Sequence, residues 1–413
     1  MAHIEPFRAF RYDPTRVSLQ EVVTQPYDKI TPAMQDRYYS ASPHNLVRII
    51  LGKRNATDTA EDNVYSRAAK FFSDWRNDGV LVQDPEPAIY RYSQEFTAPN
   101  GTQMVRDGFI AAGKLQDYSE GVVHRHEQTL SKPKADRLDL LRATHAHFGH
   151  IFMLYSDPEA EIERALDVEN KPIVDVNDEY GVRHRVWRIS DQSVIESVQR
   201  KMADKKLIIA DGHHRYETAL HYRDERRAAA GSPERAPHDF AMMTFVNMES
   251  PGLLILPTHR IVHSLPAFSM DQLRAKATEF FSVEEVDPDL DAQRATTILK
   301  EAAHTGTSLL GVGPERAFLF SRPKAAASVF EGYSLQHQAL DVVQLHKCLL
   351  EQSLGISEEA IRNQQNIAYV REAEEALERA RSGRANVSFL MNPVRMINSN
   401  KAVSPPRTRR TIS

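Results

Sequence analysis

The densest run of chemically capable side chains is Asp211-Gly-His-His-Arg-Tyr-Glu217. It follows the apolar run Leu207-Ile-Ile-Ala210, which reads as a short buried strand, and precedes a helix expected from about Tyr216 to Arg227. Gly212 permits a tight turn between them. The first-turn amides and dipole of such a helix favour an anion beyond the strand end. Arg215 adds a permanently charged fork suited to phosphate. His213 and His214 can donate hydrogen bonds or shuttle protons near neutral pH. Asp211 can hold a divalent cation, orient a hydroxyl or simply cap the helix.

A second cluster, Val123-His-Arg-His-Glu-Gln-Thr129, continues into Lys132-Pro-Lys-Ala-Asp-Arg137. Imidazoles, carboxylates and cations this close can neutralise phosphoryl oxygens and still supply a general base. Glu127, with His126 beside it, is the choice for that base, and Lys134 and Arg137 are candidate phosphate ligands. The plain alternative is a solvated charged loop. A third group is Pro26-Tyr27-Asp28 with Asn45-Leu-Val-Arg48. Asp28 either serves the turn after proline or competes with Glu127 as the base. Asn45 and Arg48, expected where the run Leu46–Leu51 enters a strand, are candidates for holding substrate; Arg48 can instead pair structurally with a carboxylate. His145, His147 and His150 complete no recognised metal-ligand spacing. The chain lacks a Gly-x-x-x-x-Gly-Lys-Ser/Thr phosphate loop, a dinucleotide fingerprint after a strand and a Gly-x-Ser-x-Gly elbow. A phosphoryl-transfer site here needs another cradle.

The elements that must position these groups alternate between helix and strand. Val64, Ala68, Phe71 and Trp75 recur on one helical face, and Gly79 suits its end. Ile89–Phe96 and Met104–Ala112 read as a hairpin about Asn100-Gly101. Strands are expected at Ile151–Tyr155, Val186–Ile189, Phe240–Val246 and Leu253–Leu256, and a helix capped by Ser190 or Asp191 carries Val194, Ile195, Val198 and Met202. The last third alternates helices near Asp271–Phe281, Ala295–Ala303, Leu340–Leu350 and Arg371–Arg381 with strands at Ser308–Leu310, Ala317–Phe320 and Val387–Met391. Polar stretches Ala228–Pro237 and Val286–Ala292 are the expected loops or hinges. The pattern predicts an α/β chain of mixed α+β type, with mixed sheets flanked by helices.

At 413 residues the chain is too long for one ordinary core. One unit over 1–396 is expected, subdivided into parts spanning 1–115, 116–260 and 261–396, then a disordered tail over 397–413. A composition 41% hydrophobic and 26% charged is that of a globular protein. No apolar run approaches the roughly 20 residues needed to cross a bilayer, and the start shows no signal pattern. The single cysteine, Cys348, fits a reducing cytoplasm and reads as a buried thiol in an apolar helix. A net charge of −4 argues against a nucleic-acid-coating surface. The basic run Arg407-Thr-Arg-Arg410, after Pro405-Pro406, reads as a frayed end. The expected partner is a small molecule, with neither membrane nor nucleic acid; a homodimer is compatible with the sequence.

Several separated segments, in order, resemble a widespread bacterial family of unknown function, numbered ten-fifteen. They are Pro6-Phe-Arg-Ala-Phe10, Pro26-Tyr27-Asp28, Asn45-Leu-Val-Arg48, His126-Glu-Gln-Thr129 with Lys134-Ala-Asp-Arg-Leu138, Ala210-Asp-Gly-His-His-Arg-Tyr-Glu-Thr-Ala219 and Asp341-Val-Val-Gln-Leu-His346. Members have been labelled ParB-like or SpoOJ-like. The Asp-Gly-His-His-Arg corner is similar to the phosphate-binding corner of the ParB/sulfiredoxin superfamily, which includes free-serine kinases. The resemblance implies a kinase acting on a small hydroxyl, with L-serine giving O-phosphoserine as first choice. It implies pyrophosphate, ADP or ATP as donor and Mg2+ bridging the phosphates. Asp211, Gly212, His213, His214 and Arg215 would hold the donor. A ParB-like nucleotide-binding regulator and a catalytically silent metabolite sensor are the other readings. The family's ending is expected to be basic and aromatic, of the kind Met-Pro-…-Lys-Ser-Thr-…-Tyr-Pro-Lys. After Asn392-Pro393 this chain instead runs to Lys401-Ala-Val-Ser-Pro-Pro-Arg-Thr-Arg-Arg-Thr-Ile-Ser413. If the family's segment lends cations to the phosphate site, activity in this copy is expected to be impaired.

Overall fold

Strands of alternating character need a partner for their apolar face, and in residues Met1–Leu254 a nine-stranded mixed sheet meets that need, with a separate two-stranded sheet formed by Phe10–Tyr12 and Leu81–Gln83. The computed structural model describes residues 1–98, 101–125, 131–168, 170–230, 236–254, 257–324, 327–331, 333, 338–362 and 365–393. The chain divides into two units, Met1–Leu254 and Ile255–Ser413.

The strands of the first unit are β1 (Ile4–Glu5), β2 (Phe10–Tyr12), β3 (Leu81–Gln83), β4 (Ile89–Thr97), β5 (Gln103–Lys114), β6 (Val123–His124), β7 (Ile151–Tyr155), β8 (Val174–Asn177), β9 (Arg183–Ile189), β10 (Leu207–Asp211) and β11 (Phe240–Asn247). Its helices are α1 (Leu19–Val22), α2 (Pro32–Ala41), α3 (Val47–Ile50), α4 (Val64–Asn77), α5 (Ser131–Thr144), α6 (Glu161–Leu166), α7 (Gln192–Met202) and α8 (His213–Ala230). The sheet order is β6-β10-β7-β11-β5-β4-β9-β8, with β1 on β5 beyond the end of β4. Strands β6 and β10 are parallel, as are β7 and β11, and the other neighbours are antiparallel. Phe109, Ile151, Met153, Ile209 and Phe245 on one face pack with Ile162 of α6, Val198 of α7 and Tyr216 of α8. Both the 1–115 and 116–260 parts feed this sheet, which crosses residue 115 without a break.

Local chemistry explains the element ends. The Asn63 side chain accepts the Tyr65 and Ser66 amides while Ser66 Oγ accepts the Asn63 amide, a reciprocal cap that starts α4. Its buried face is Val64, Ala68, Phe72 and Trp75; Phe71, expected on that face, is only half-buried. Gly79 follows with φ 70°. Asp191 caps α7 through the Ser193 and Val194 amides. The hairpin joins β4 to β5 with Gly101 at φ 82°.

One expected strand fails, and another falls partly outside the described residues. Val47–Ile50 is a helical turn, started by the Asn45 Oδ1 that accepts the Val47 amide. Short apolar runs carry no decisive period, and Val47, Ile49 and Ile50 are all buried. Leu253 lies in a turn in which its amide donates to the Ser250 carbonyl, and Leu254 is outside any strand; Ile255 and Leu256 are outside the described residues. Helix α8 also reaches Ala230, into the stretch expected to be a loop.

The second unit holds strands β12 (His259–Val262), β13 (Ser282–Val286), β14 (Ser308–Val312), β15 (Ala317–Ser321), β16 (Ile367–Val370) and β17 (Val387–Met391). They form an antiparallel sheet in the order β13-β15-β14-β17-β12-β16. Its helices are α9 (Met270–Ala277), α10 (Ala292–Ala302), α11 (Asp341–Gln344), α12 (Glu358–Arg362) and α13 (Ala373–Arg381). One sheet face packs Phe318, Phe320 and Phe389 with α9 and the π-helical stretch Leu345–Ser353 that continues α11. The other packs Leu310, Leu319 and Leu390 with α10 and α13. Cys348 is buried in the π-helical stretch, and burial pushes its thiol up to about 12, so it stays protonated. The mixed α+β reading holds in both units. Among the described residues no helix is long and apolar enough to cross a membrane. Residues 397–413 lie outside the described residues.

Candidate functional site

Strand β10 ends in a bulge between Ile209 and Asp211, which sets Asp211 opposite Phe152 of β7. Gly212 then takes φ 92°, a conformation that glycine adopts without a side-chain penalty, and α8 begins at His213. The Arg215 side chain folds back over this turn. A Cβ on Gly212 would stand 3.1 Å from Arg215 Nε, and one on Gly149 would stand 3.2 Å from Nη1. Arg215 donates from Nη2 to the Asp211 carboxylate and from Nη1 to the His150 carbonyl. His213 is buried and His214 half-buried. Two contacts fix α8 behind the corner. Tyr216 Oη donates to the Gln116 carbonyl (2.7 Å) and accepts the Gln116 amide (3.0 Å), while buried Arg223 donates to the Leu115 carbonyl (3.1 Å) and the Asp117 carboxylate (3.1 Å).

The strand directions gather other segments at this end of the sheet. Strand β6 runs parallel to β10 but pairs only with its start, His124 opposite Ile208, so Arg125 leaves the sheet before Gly212 does. Because β7 runs antiparallel, with Phe152 opposite Asp211, His150 enters the sheet beside Gly212. Arg125 Nη1 lies 3.4 Å from Glu217 Oε1, and its guanidinium sits 4.8 Å from the Tyr118 ring centre. His126, Glu127 and the Lys134 side chain lie outside the described residues. Arg137 on α5 places its guanidinium 4.1 Å from the Tyr27 ring centre, donates to the Ile50 carbonyl (2.7 Å) and pairs with Asp136. Burial raises the Tyr27 phenol; Arg137 and Arg215 pull it back, while Asp28 and Asp136 add to the rise. Burial would lift the Asp136 carboxyl too, yet Arg137, Tyr65 and Arg54 together hold it below the usual carboxylate range. A cleft of about 40 Å³ lined by Gly52, Arg54, Tyr65, Asp136 and Arg137 has room for water, not for a nucleotide. Asp28 is exposed beside Tyr27.

Asn45 and Arg48 serve the fold where they stand. Buried Asn45 donates to the Glu21 carbonyl (2.7 Å) and accepts the Val47 amide (3.0 Å), and Arg48 donates to the Tyr39 carbonyl (2.8 Å) while lying 4.3 Å from the Tyr39 ring centre. Among the three histidines, His145 Nδ1 is 2.7 Å from Tyr222 Oη and His150 Nδ1 is 2.6 Å from Thr244 Oγ1. Burial pushes His147 and His150 down to about 4, with Arg215 adding to the effect at His150. Among the described residues no three His, Cys, Asp or Glu side chains converge as a metal cluster. Sequence reasoning missed Tyr92, Arg106, Asp178 and His184, which strand pairing brings together on the sheet beside this corner. The alternation Tyr90, Tyr92, Gln94, Phe96 marked one face of β4, but nothing local named β9 as its partner.

No curated protein matches the chain. Among solved structures, a conserved hypothetical protein from Pyrococcus furiosus aligns over 66% of this chain and 76% of its own at 11% identity with a TM-score of 0.29, which carries no argument. The family model described as "Protein of unknown function (DUF1015)" matches residues 4–343. That span takes in the Pro26-Tyr27-Asp28, Lys134–Arg137 and Asp211–Arg215 segments, and by it the chain belongs to this family.

Proposed function

We propose that the first unit is a phosphotransferase whose donor phosphate rests on the Asp211–Arg215 corner and whose acceptor is a small hydroxyl compound, free L-serine first. The observation that carries this reading is the corner itself: β10 ends at Asp211, Gly212 turns at φ 92°, α8 starts at His213, and the Arg215 guanidinium folds back over the turn onto Asp211 and the His150 carbonyl. Cations at a helix start beyond a strand end suit phosphoryl oxygens. The similarity of Asp211-Gly-His-His-Arg215 to the ParB/sulfiredoxin corner agrees with it. Pyrophosphate, ADP and ATP are the candidate donors. The acceptor oxygen attacks the terminal phosphorus, the bond to the leaving phosphate breaks, and the hydroxyl proton passes to a carboxylate, for which Glu127 is proposed with His126 beside it and Asp28 as the alternative. Asp211 is the exposed carboxylate at this corner that would join a donor-bound Mg2+, which would neutralise phosphate charge. Calorimetric titration with pyrophosphate and Mg2+ tests the corner: Arg215→Ala should weaken binding at least tenfold, whereas unchanged affinity removes the corner from the donor site.

A second reading, binding without turnover, draws on the partners Arg215 and Arg137 already have within the protein. Pyrophosphate or nucleotide binding by a protein that transfers no phosphate would favour that sensor role.

A further inference from the structure

Arg106 stands on β5 beside Gly108 and Ile110, on the sheet face opposite Phe109 and Ala111 and thus away from α6, α7 and α8. Its guanidinium is walled by two rings, Phe152 at 5.4 Å and Phe96 at 5.6 Å, measured to the ring centres. Nε and Nη2 both donate to one neutral acceptor, Gln94 Oε1, at 2.9 and 2.7 Å. Burial holds the guanidinium below its usual range, and among the described residues no carboxylate relieves it. The Arg106 side chain is half-buried, and a guanidinium partly withdrawn from water beside a neutral acceptor is costly to the fold. Its cost is offset when an anion arrives.

The neighbouring strands set a polar chain against the same face. Tyr92 Oη lies 2.7 Å from His184 Nδ1, with the rings stacked at 6.0 Å and 14°. His184 Nε2 lies 3.4 Å from Asp178 Oδ2, while Asp178 Oδ1 accepts the Tyr180 and Val182 amides, both at 2.9 Å. The carboxylate is thereby fixed, and it orients the imidazole toward the phenol. Burial raises the Tyr92 phenol, with Arg106 pulling the other way, so the hydroxyl stays protonated. The patch adjoins the phosphate corner by two routes. The Tyr92 ring meets the His150 ring edge-on at 6.2 Å, and the His150 carbonyl accepts Arg215. Phe152, under Arg106, is the register partner of Asp211.

We infer that Arg106 is the counter-ion for the carboxylate of a small monocarboxylic acid, with the Tyr92–His184–Asp178 chain against its other polar group. A monocarboxylate leaves the pair neutral, whereas a phosphate dianion would leave a negative surplus in this half-buried setting. The inference deepens the phosphotransfer reading, on which the ligand's role as acceptor rests; the binding itself needs no turnover.

Calorimetry on the full chain tests it with acetate, L-lactate and L-serine, and with ethanolamine as the probe lacking a carboxylate. Acids are expected to bind and ethanolamine to give no heat. Arg106→Met, which keeps the stem and removes the charge, should weaken the acids at least tenfold and leave pyrophosphate affinity within twofold. No acid binding to the wild-type chain overturns the inference without needing any variant. Equal acid affinity in a folded Arg106→Met protein overturns it too, as does a loss confined to pyrophosphate. Acid binding that depends on Arg106 in a protein that binds no donor would sink the phosphotransfer reading and leave this inference standing. Donor binding without acid binding would do the reverse.

Discussion

Arg215 matters because one guanidinium meets two unlike oxygens, the Asp211 carboxylate and the His150 carbonyl, across a turn that has no side chain. The Asp211 partner is mostly exposed, so the pair contributes only about 0–1 kcal/mol to stability. Arg215→Ala should therefore melt within a few degrees of the wild type while donor binding falls, and Arg215→Lys should not restore it, because an ammonium lacks the planar fork. A variant that unfolds instead would make Arg215 a structural residue. His147 and His150 give a pH prediction. Both are held near 4, below the ordinary 6.5 of an unfolded chain. Between those values the unfolded state binds more protons, so stability must fall as pH drops from about 6.5 toward 4. Thermal melts across that range should show the decline, and His150→Asn should flatten it; melting points that rise on acidification would contradict the assignment. The residue types of the corner were legible in the sequence because strand, glycine and helix are contiguous there. The commitments of Asn45 and Arg48 were not, since their carbonyl partners lie on other elements.

Elements place these residues through geometry that a single glycine permits. At φ 92° an alanine in place of Gly212 is strained, and its Cβ would crowd Arg215 at 3.1–3.2 Å. Gly212→Ala should cost about 1–3 kcal/mol in denaturant unfolding and weaken the donor along with it. A neutral effect would mean that the turn relaxes freely. Helices α4 and α7 could be read from the sequence because each carries a cap and an amphipathic period. The run Leu46–Leu51 could not, because it is short and buried, so its period does not discriminate. Helix α5 escaped notice for the opposite reason: its charged surface looked like a loop.

At the scale of the molecule, the two larger sheets carry separate cores, with the described candidate site residues in the first unit. Truncating a second-unit core residue should leave the donor site intact. Phe320→Ala is expected to cost about 3–5 kcal/mol in the unfolding of its unit with pyrophosphate affinity unchanged; loss of binding would show that the site depends on that core. Alternation of helix and strand revealed the class, but the order β6-β10-β7-β11 was hidden, because pairing between distant strands leaves no local mark. The same blindness concealed Arg106 and the Tyr92–His184 contact. The central claim, phosphoryl transfer at the Asp211–Arg215 corner, meets its most direct test in phosphorus NMR of the purified protein with L-serine, Mg2+ and, in turn, pyrophosphate, ADP and ATP. The expected result is an O-phosphoserine resonance with at least one donor that disappears in Arg215→Ala. A folded wild-type protein giving no phosphoserine with any of the three would contradict the account.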